Sequence, residues 1–187
     1  WLVRLADPGV TQRLRDLDLP ALQFEQETKR YYPKGSLAAH LLGFVNIDHQ
    51  GRAGLELLYG KQLAGRDGES IVQVDALQQS YKTTIAEAPV PGESLYLTID
   101  ETIQSIAEKR LAQAIKETKA RKGAVIVSDP NTGDVLAMAS WPTFDPNTRE
   151  GSDWNYGIRE RYEPGSTFKI VTVAAALRVE ASQRTGA

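Results

Sequence analysis

The 187-residue chain has no cysteine. That excludes disulfides, thiol nucleophiles and cysteine-ligated zinc sites. Histidine is nearly absent: His40 and His49 are the only two. Both lie far upstream of the serine that will matter below, and no Gly-x-Ser-x-Gly elbow occurs, so the inventory argues against a Ser-His-Asp hydrolase. Charge of one sign is also missing. Lys and Arg number 22 against 24 Asp and Glu, a net charge of −2. This gives no electrostatic reason to expect nucleic acid or an anionic membrane surface as partner. No apolar run approaches the roughly 18 residues of a membrane-crossing helix. No signal-peptide pattern, internal repeat or low-complexity tract is visible. The chain as given is expected to be soluble. It opens at Trp1 without an initiator methionine, which leaves room for a removed upstream segment.

What is present is concentrated near the end. Glu163-Pro164-Gly165-Ser166-Thr167-Phe168-Lys169 runs straight into the apolar stretch Ile170–Leu177. Pro164 and Gly165 break the chain, so Ser166 is predicted at or near a helix start. A spacing of three stacks Ser166 and Lys169 on one helix face, with Cβ atoms about 5–6 Å apart. The following helix is apolar nearly all round, which predicts burial. A serine hydroxyl is a poor nucleophile until a neighbour takes its proton. A lysine can take it when desolvation favours the neutral amine. A free N–H at the helix start can stabilise developing oxyanion charge. Over four residues, a helix-capping serine followed by a solvated lysine would look the same. The flanks separate the two readings, and no other Ser-x-x-Lys occurs in the chain.

Two regions are predicted, 1–92 and 93–187. The first is rich in polar loops, with strands predicted at Leu22–Glu27 and Ser70–Asp75. A turn is predicted at Tyr32–Gly35. Short helices are predicted from a Ser36 cap to a Gly43 stop, and over Leu55–Tyr59 ending at Gly60. Pro89-Val90-Pro91-Gly92 marks the boundary. In the second region Leu95, Leu97 and Ile99 alternate as in a half-buried strand. A long helix follows, capped by a Thr98/Glu101 box or by Asp100, with Gly123 in the C′ position. Ala124–Val127 and Val135–Ala139, separated by Asp129–Gly133, predict a β-hairpin whose strands are covered on both faces. The fold class predicted is α+β, with helices packed on a mainly antiparallel sheet.

These segments, taken together, resemble the class B penicillin-binding proteins, the monofunctional peptidoglycan transpeptidases. Arg30–Gly35, Ala39–Gly43 and Gly54-Leu55-Glu56 resemble motifs of that family's N-terminal pedestal. Leu97–Asp100 with Gln104 resembles the entry to its transpeptidase domain. Asp129–Gly133 and Phe144–Asn147 resemble its first hairpin and connector. Tyr162–Lys169 resembles its active-site motif. The resemblance implies a pedestal over 1–92, and over 93–187 the incomplete start of the transpeptidase α/β sandwich. It implies Ser166 as nucleophile and oxyanion N–H donor, with Lys169 as general base or proton relay, and no metal or organic cofactor. It implies acylation by D-Ala-D-Ala stem peptides and by β-lactams, and a place on the extracytoplasmic face of a bacterial membrane among other cell-wall or division proteins. Pro164 and Gly165 would be structural. Arg30 and Glu56 are expected to form a structural ion pair, His40 to be packed and hydrogen-bonded, and Asp145 and Asn147 to fix a turn.

The departures carry equal weight. The family's Ser-x-Asn and Lys-[Thr/Ser]-Gly motifs do not occur in the chain. A fragment lacking activity of its own is therefore expected, with self-association through its exposed C-terminal region. The alternatives are a non-catalytic interaction module of the cell-wall machinery and a β-lactamase or β-lactam sensor.

Overall fold

The computed structural model describes residues 1–74 and 80–185. It divides into two compact units, Trp1–Gly157 and Ile158–Ala187. The last residue of the predicted strand Ser70–Asp75 lies outside the described residues.

The larger unit opens with α1 (Pro8–Asp16), whose N-cap Asp7 accepts from the Gly9 N–H at 2.8 Å. The predicted strand at Leu22–Glu27 forms no ladder. Its chain is held by side chains instead. Glu27 accepts from Arg4 Nε at 2.8 Å and from the Leu5 N–H at 3.1 Å. The hydrogen bond from Arg4 holds the Glu27 carboxyl below its ordinary value.

Helices α2 (Ala39–Leu42) and α3 (Gly54–Leu58) pack together, and α4 (Gly60–Ala64) follows almost at once. Helix α2 starts later than predicted. Ser36 is not its cap; Ala38 is, in the left-handed region at φ 54°. Gly43 does end it, at φ 79°. A side chain on Gly43 would collide with the Ala53 carbonyl, and one on Gly54 with the Leu41 carbonyl. The two glycines thus let the backbones of α2 and α3 touch. Strands β1 (Glu69–Val74) and β2 (Ser80–Glu87) form an antiparallel pair.

The rest of the unit is built on α5 (Glu101–Thr118) and the hairpin β3 (Gly123–Ser128) and β4 (Val135–Trp141). Of the two predicted caps Asp100 is the one used: its Oδ1 accepts from the Ile103 N–H at 2.9 Å. Thr98 donates its hydroxyl to the Val135 carbonyl at 2.7 Å. Residues 95–99 are not a strand. Leu97, one of the three apolar positions, is 42% exposed, and Leu95 and Ile99 are only half-buried. The end of α5 also differs from prediction. Lys119 takes the left-handed cap at φ 56°, and Gly123 is the first residue of β3.

Leu111 and Ala107 of α5 bury against Ala137 and Ala139 of β4, with Ile103, Ile115, Val125, Val127 and Trp141 around them. Burying a leucine of this kind stabilises by about 1.5–3 kcal/mol. Contrary to the predicted two-sided cover, β3 alternates half-buried with exposed residues, and Ile126 is 49% exposed. Val125 and Val127 face the α5 core, while Ile126 lies on the other face, next to Gly157. Short strands β5 (Phe144–Asp145) and β6 (Glu150–Gly151) and helix α6 (Tyr156–Arg159) follow. The second unit holds a 3-10 turn, Gly165–Phe168, and helix α7 (Lys169–Thr185).

Candidate active site

Gly165 sits at φ 54°, a conformation that suits glycine, and directs the chain into the 3-10 turn. The turn's first bond runs from the Thr167 N–H to the Pro164 carbonyl at 3.1 Å. The Lys169 N–H then donates to the Ser166 and Thr167 carbonyls. Ser166 therefore lies in the turn that leads into α7, and its own N–H precedes the first bond of the ladder. That is the geometry of an available donor at a helix start.

Two expectations meet here: burial, from the apolar pattern of the helix, and an exposed C-terminal region, from the missing motifs. Exposure is what is seen. Ser166 and Lys169 are both exposed. So are the apolar residues of α7, with Ile170 at 69%, Val173 at 57% and Leu177 at 61%. The all-round apolar pattern marks a helix made to be enclosed, and within its own unit nothing encloses it.

The other predicted residues lie in the larger unit. Arg30 Nε and its terminal nitrogen both approach Glu56 Oε1 at 2.8 Å. The carboxylate is buried while the guanidinium is half exposed. The Tyr32 hydroxyl donates to the same oxygen at 3.3 Å and accepts from the Val45 N–H at 3.1 Å. Burial, and then the negative charge of Glu56, raise the Tyr32 phenol above its ordinary value. His40 is buried, and its Nε2 donates to the Ser152 carbonyl at 2.8 Å. Asp145 Oδ1 accepts from the Asn147 N–H at 2.8 Å, so these two residues do shape a turn.

Asn147 does more than the turn requires. Its Oδ1 accepts from the Tyr32 N–H and its Nδ2 donates to the Tyr32 carbonyl, both at 2.9 Å. Gln104 is the second residue whose role the sequence did not reveal. It is fully buried, accepts from the Met138 N–H at 2.7 Å and donates to the Met138 carbonyl at 3.0 Å. It also donates to Glu108, which accepts from the Ala38 N–H at 2.8 Å. Asn155 is the third: buried, it accepts from the Ser140 hydroxyl at 3.2 Å and the Gly157 N–H at 3.1 Å. Each amide completes a backbone that the sequence pattern alone leaves open.

Comparison with known proteins agrees with this layout. The penicillin-binding protein dimerisation domain matches residues 10–97. The penicillin-binding protein transpeptidase domain matches residues 123–185. Peptidoglycan D,D-transpeptidase FtsI of Escherichia coli K12 is 36% identical over 182 residues, covering 95% of this chain and 31% of that protein. Probable peptidoglycan D,D-transpeptidase PenA of Neisseria gonorrhoeae is 37% identical over 184 residues, covering 95% and 32%. The crystal structure of penicillin-binding protein 3 from Mycobacterium tuberculosis, complexed with aztreonam, superposes with a TM-score of 0.66 at 33% identity. It covers 80% of this chain and 31% of that one. The chain spans about a third of the length of the curated relatives it matches. With both domain matches in place and the relatives aligned along nearly all of it, the chain belongs to the class B penicillin-binding proteins, as a dimerisation domain followed by part of a transpeptidase domain.

Proposed function

We propose that this chain is the pedestal, residues 1–92, and the first part, residues 93–187, of a serine D,D-transpeptidase that cross-links peptidoglycan. The observation that carries this reading is the segment Tyr162–Lys169. It lies within the transpeptidase match and sets Ser166 in the turn that opens α7. In the intact protein Ser166 Oγ attacks the penultimate D-Ala carbonyl carbon of a stem peptide, and its proton passes to a neutral Lys169. The Ser166 N–H is one of the oxyanion donors. The C–N bond to the terminal D-Ala breaks, and that residue leaves as the protonated amine. An amine of a neighbouring stem peptide then attacks the acyl-enzyme and frees Ser166. β-Lactams acylate the same oxygen; the aztreonam complex of the M. tuberculosis protein supports this for the family. The work is extracytoplasmic, where the cell wall and the other synthesis proteins are. No described helix is long and apolar enough to cross a membrane.

The same observations support a second reading for the 187 residues by themselves. Ser166 and Lys169 are exposed, and the sequence has neither Ser-x-Asn nor Lys-[Thr/Ser]-Gly. The chain alone then behaves as a non-catalytic module. A β-lactamase or sensor is the weaker alternative, because a dimerisation domain occupies residues 10–97. Intact mass after incubation with benzylpenicillin tests all of this. The chain alone is expected to gain no mass. The chain joined to the remainder of its transpeptidase domain is expected to gain one penicillin, and Ser166→Ala to abolish the gain. An adduct that survives Ser166→Ala would overturn the assignment of the nucleophile. Rapid hydrolysis of the adduct would favour the β-lactamase reading.

A further inference from the structure

The near-balance of charge over the whole chain hides an uneven placement. Residues 109–122 hold six of the 22 basic residues and one of the 24 acids. They form the second half of α5 and the link to β3. The one acid, Glu117, accepts from Gln113 Nε2 at 2.7 Å, and Arg110 donates to Oε1 of the same Gln113 at 3.1 Å. Lys122 lies over the Tyr156 ring at 5.7 Å. Lys109, Lys116, Lys119 and Arg121 are exposed, and no ion pair among the described residues includes them.

Helix electrostatics explains only part of this. Cations in the last turn complement the dipole, which accounts for Lys116 and Lys119. Lys109 stands well before that turn, and Arg121 comes after the cap. Lys119 also holds the left-handed cap at φ 56°, where glycine is the unstrained choice. A lysine is kept there at a conformational cost. With about 100° of turn per residue, Lys109 stands about 160° round the helix from both Ala107 and Leu111, and Lys116 about 140° from Leu111. Ala107 and Leu111 are the residues buried against β4. The lysines therefore line the side of α5 that faces away from the hairpin, the outer side of a helix layered on a sheet.

The make-up of this stripe selects its partner. The residues beside its cations are Ala112, Gln113 and Ala120, with no aromatic or large aliphatic side chain on that side. A protein interface is anchored by such side chains, and a helix lying on a membrane buries an apolar face. A row of cations with neither suits a linear polyanion held through its charges. We infer that this stripe binds peptidoglycan strands through the carboxylates of their stem peptides, on a different element from Ser166. A strand held there raises the local concentration of stem peptides for the transfer. The choice of polymer rests on the transpeptidase reading.

Co-sedimentation with isolated, insoluble peptidoglycan tests it, on the chain alone and on the chain joined to the remainder of its transpeptidase domain. Both are expected to pellet at low salt and to be released as salt rises. Lys109→Gln, Lys116→Gln and Lys119→Gln combined are expected to weaken binding about tenfold or more. The same loss of charge elsewhere, by Lys29→Gln, Arg52→Gln and Lys61→Gln, is expected to weaken it about twofold or less. An unchanged urea midpoint shows that each variant is folded. Peptidoglycan whose carboxylates have been amidated is expected to pellet neither form of the protein. No pelleting of wild type would overturn the inference. So would equal losses in the two triple variants, since binding would then follow net charge, and so would undiminished pelleting with amidated peptidoglycan. Loss of binding in Ser166→Ala would assign the capture to the active site and overturn it too. Acylation of Ser166 by benzylpenicillin, read separately on the joined chain, reports on the transpeptidase reading alone.

Discussion

Glu56 Oε1 accepts from both Arg30 and Tyr32, and it does so in a buried position. The two ends of the ion pair are unequally exposed: the Arg30 side chain at 46%, that of Glu56 at 8%. Removing either partner should therefore have unequal consequences. Arg30→Ala strands a buried carboxylate and is expected to destabilise by about 3 kcal/mol. Glu56→Ala leaves a guanidinium that can turn to water. Its expected loss is about 1–2 kcal/mol, from the Tyr32 hydroxyl and the charge-assisted bonds. Urea denaturation of both variants checks the order. The pH dependence runs through Tyr32. Its folded-state pKa is raised by burial and by Glu56 from the ordinary 10.0. The stability this represents is fully present below the unfolded value and is lost as pH rises from about 10 through the folded value. Tyr32→Phe does not titrate. The stability gap between wild type and Tyr32→Phe is expected to be constant up to about pH 9 and to narrow above about pH 10.

At the scale of elements, α5 and the hairpin were legible because their signals are local. Asp100 before a 3.6-residue apolar pattern, and two apolar runs around Asp129–Gly133, each specify structure without help from distant residues. Residues 95–99 were not legible, since period-two alternation describes an extended chain as well as a strand. No ladder forms there; the backbone of Asp100 and the hydroxyl of Thr98 reach β4 instead. Gln104 could be seen as part of a family-like motif but not as a substitute strand. A polar residue within an apolar helix face shows its partner only once the hairpin is folded beside it. The Ser166 turn was legible from Pro164 and Gly165. The exposure of α7 was legible only through the absent Ser-x-Asn and Lys-[Thr/Ser]-Gly motifs, because an apolar pattern states that a surface should be buried and not against what. Gln104→Ala follows from this element's logic. It leaves the Met138 N–H and carbonyl without their partner in a dry site, and about 2–4 kcal/mol of stability is expected to be lost. Exchange of the Met138 amide should accelerate more than that of Val125 or Val127, whose ladder bonds do not depend on Gln104.

Across the larger unit, residues 30–45 are tied to residues 108–152 by bonds between groups far apart in sequence. Asn147 pairs with both backbone groups of Tyr32, 115 residues away. Glu108 accepts from the Ala38 N–H, His40 donates to the Ser152 carbonyl, and Arg149 donates to the Val45 carbonyl at 3.1 Å. Phe44 and Phe144 meet at 5.3 Å between ring centroids beside these bonds. The pedestal motif and the connector motif therefore form one folding unit, although each reads as a separate loop. Asn147 is the most exacting of these ties because it acts as donor and acceptor to a single residue, as a neighbouring strand would. Asn147→Asp keeps the acceptor for the Tyr32 N–H but sets a carboxylate oxygen against the Tyr32 carbonyl. Asn147→Ala removes both bonds and adds no repulsion. If the amide is a two-way clasp, Asn147→Asp is expected to destabilise at least as much as Asn147→Ala, by about 2 kcal/mol or more. Protease cleavage within 143–151 should rise in both variants. An Asn147→Asp protein as stable as wild type would show that the turn bond to Asp145, and not the clasp on Tyr32, is what Asn147 contributes.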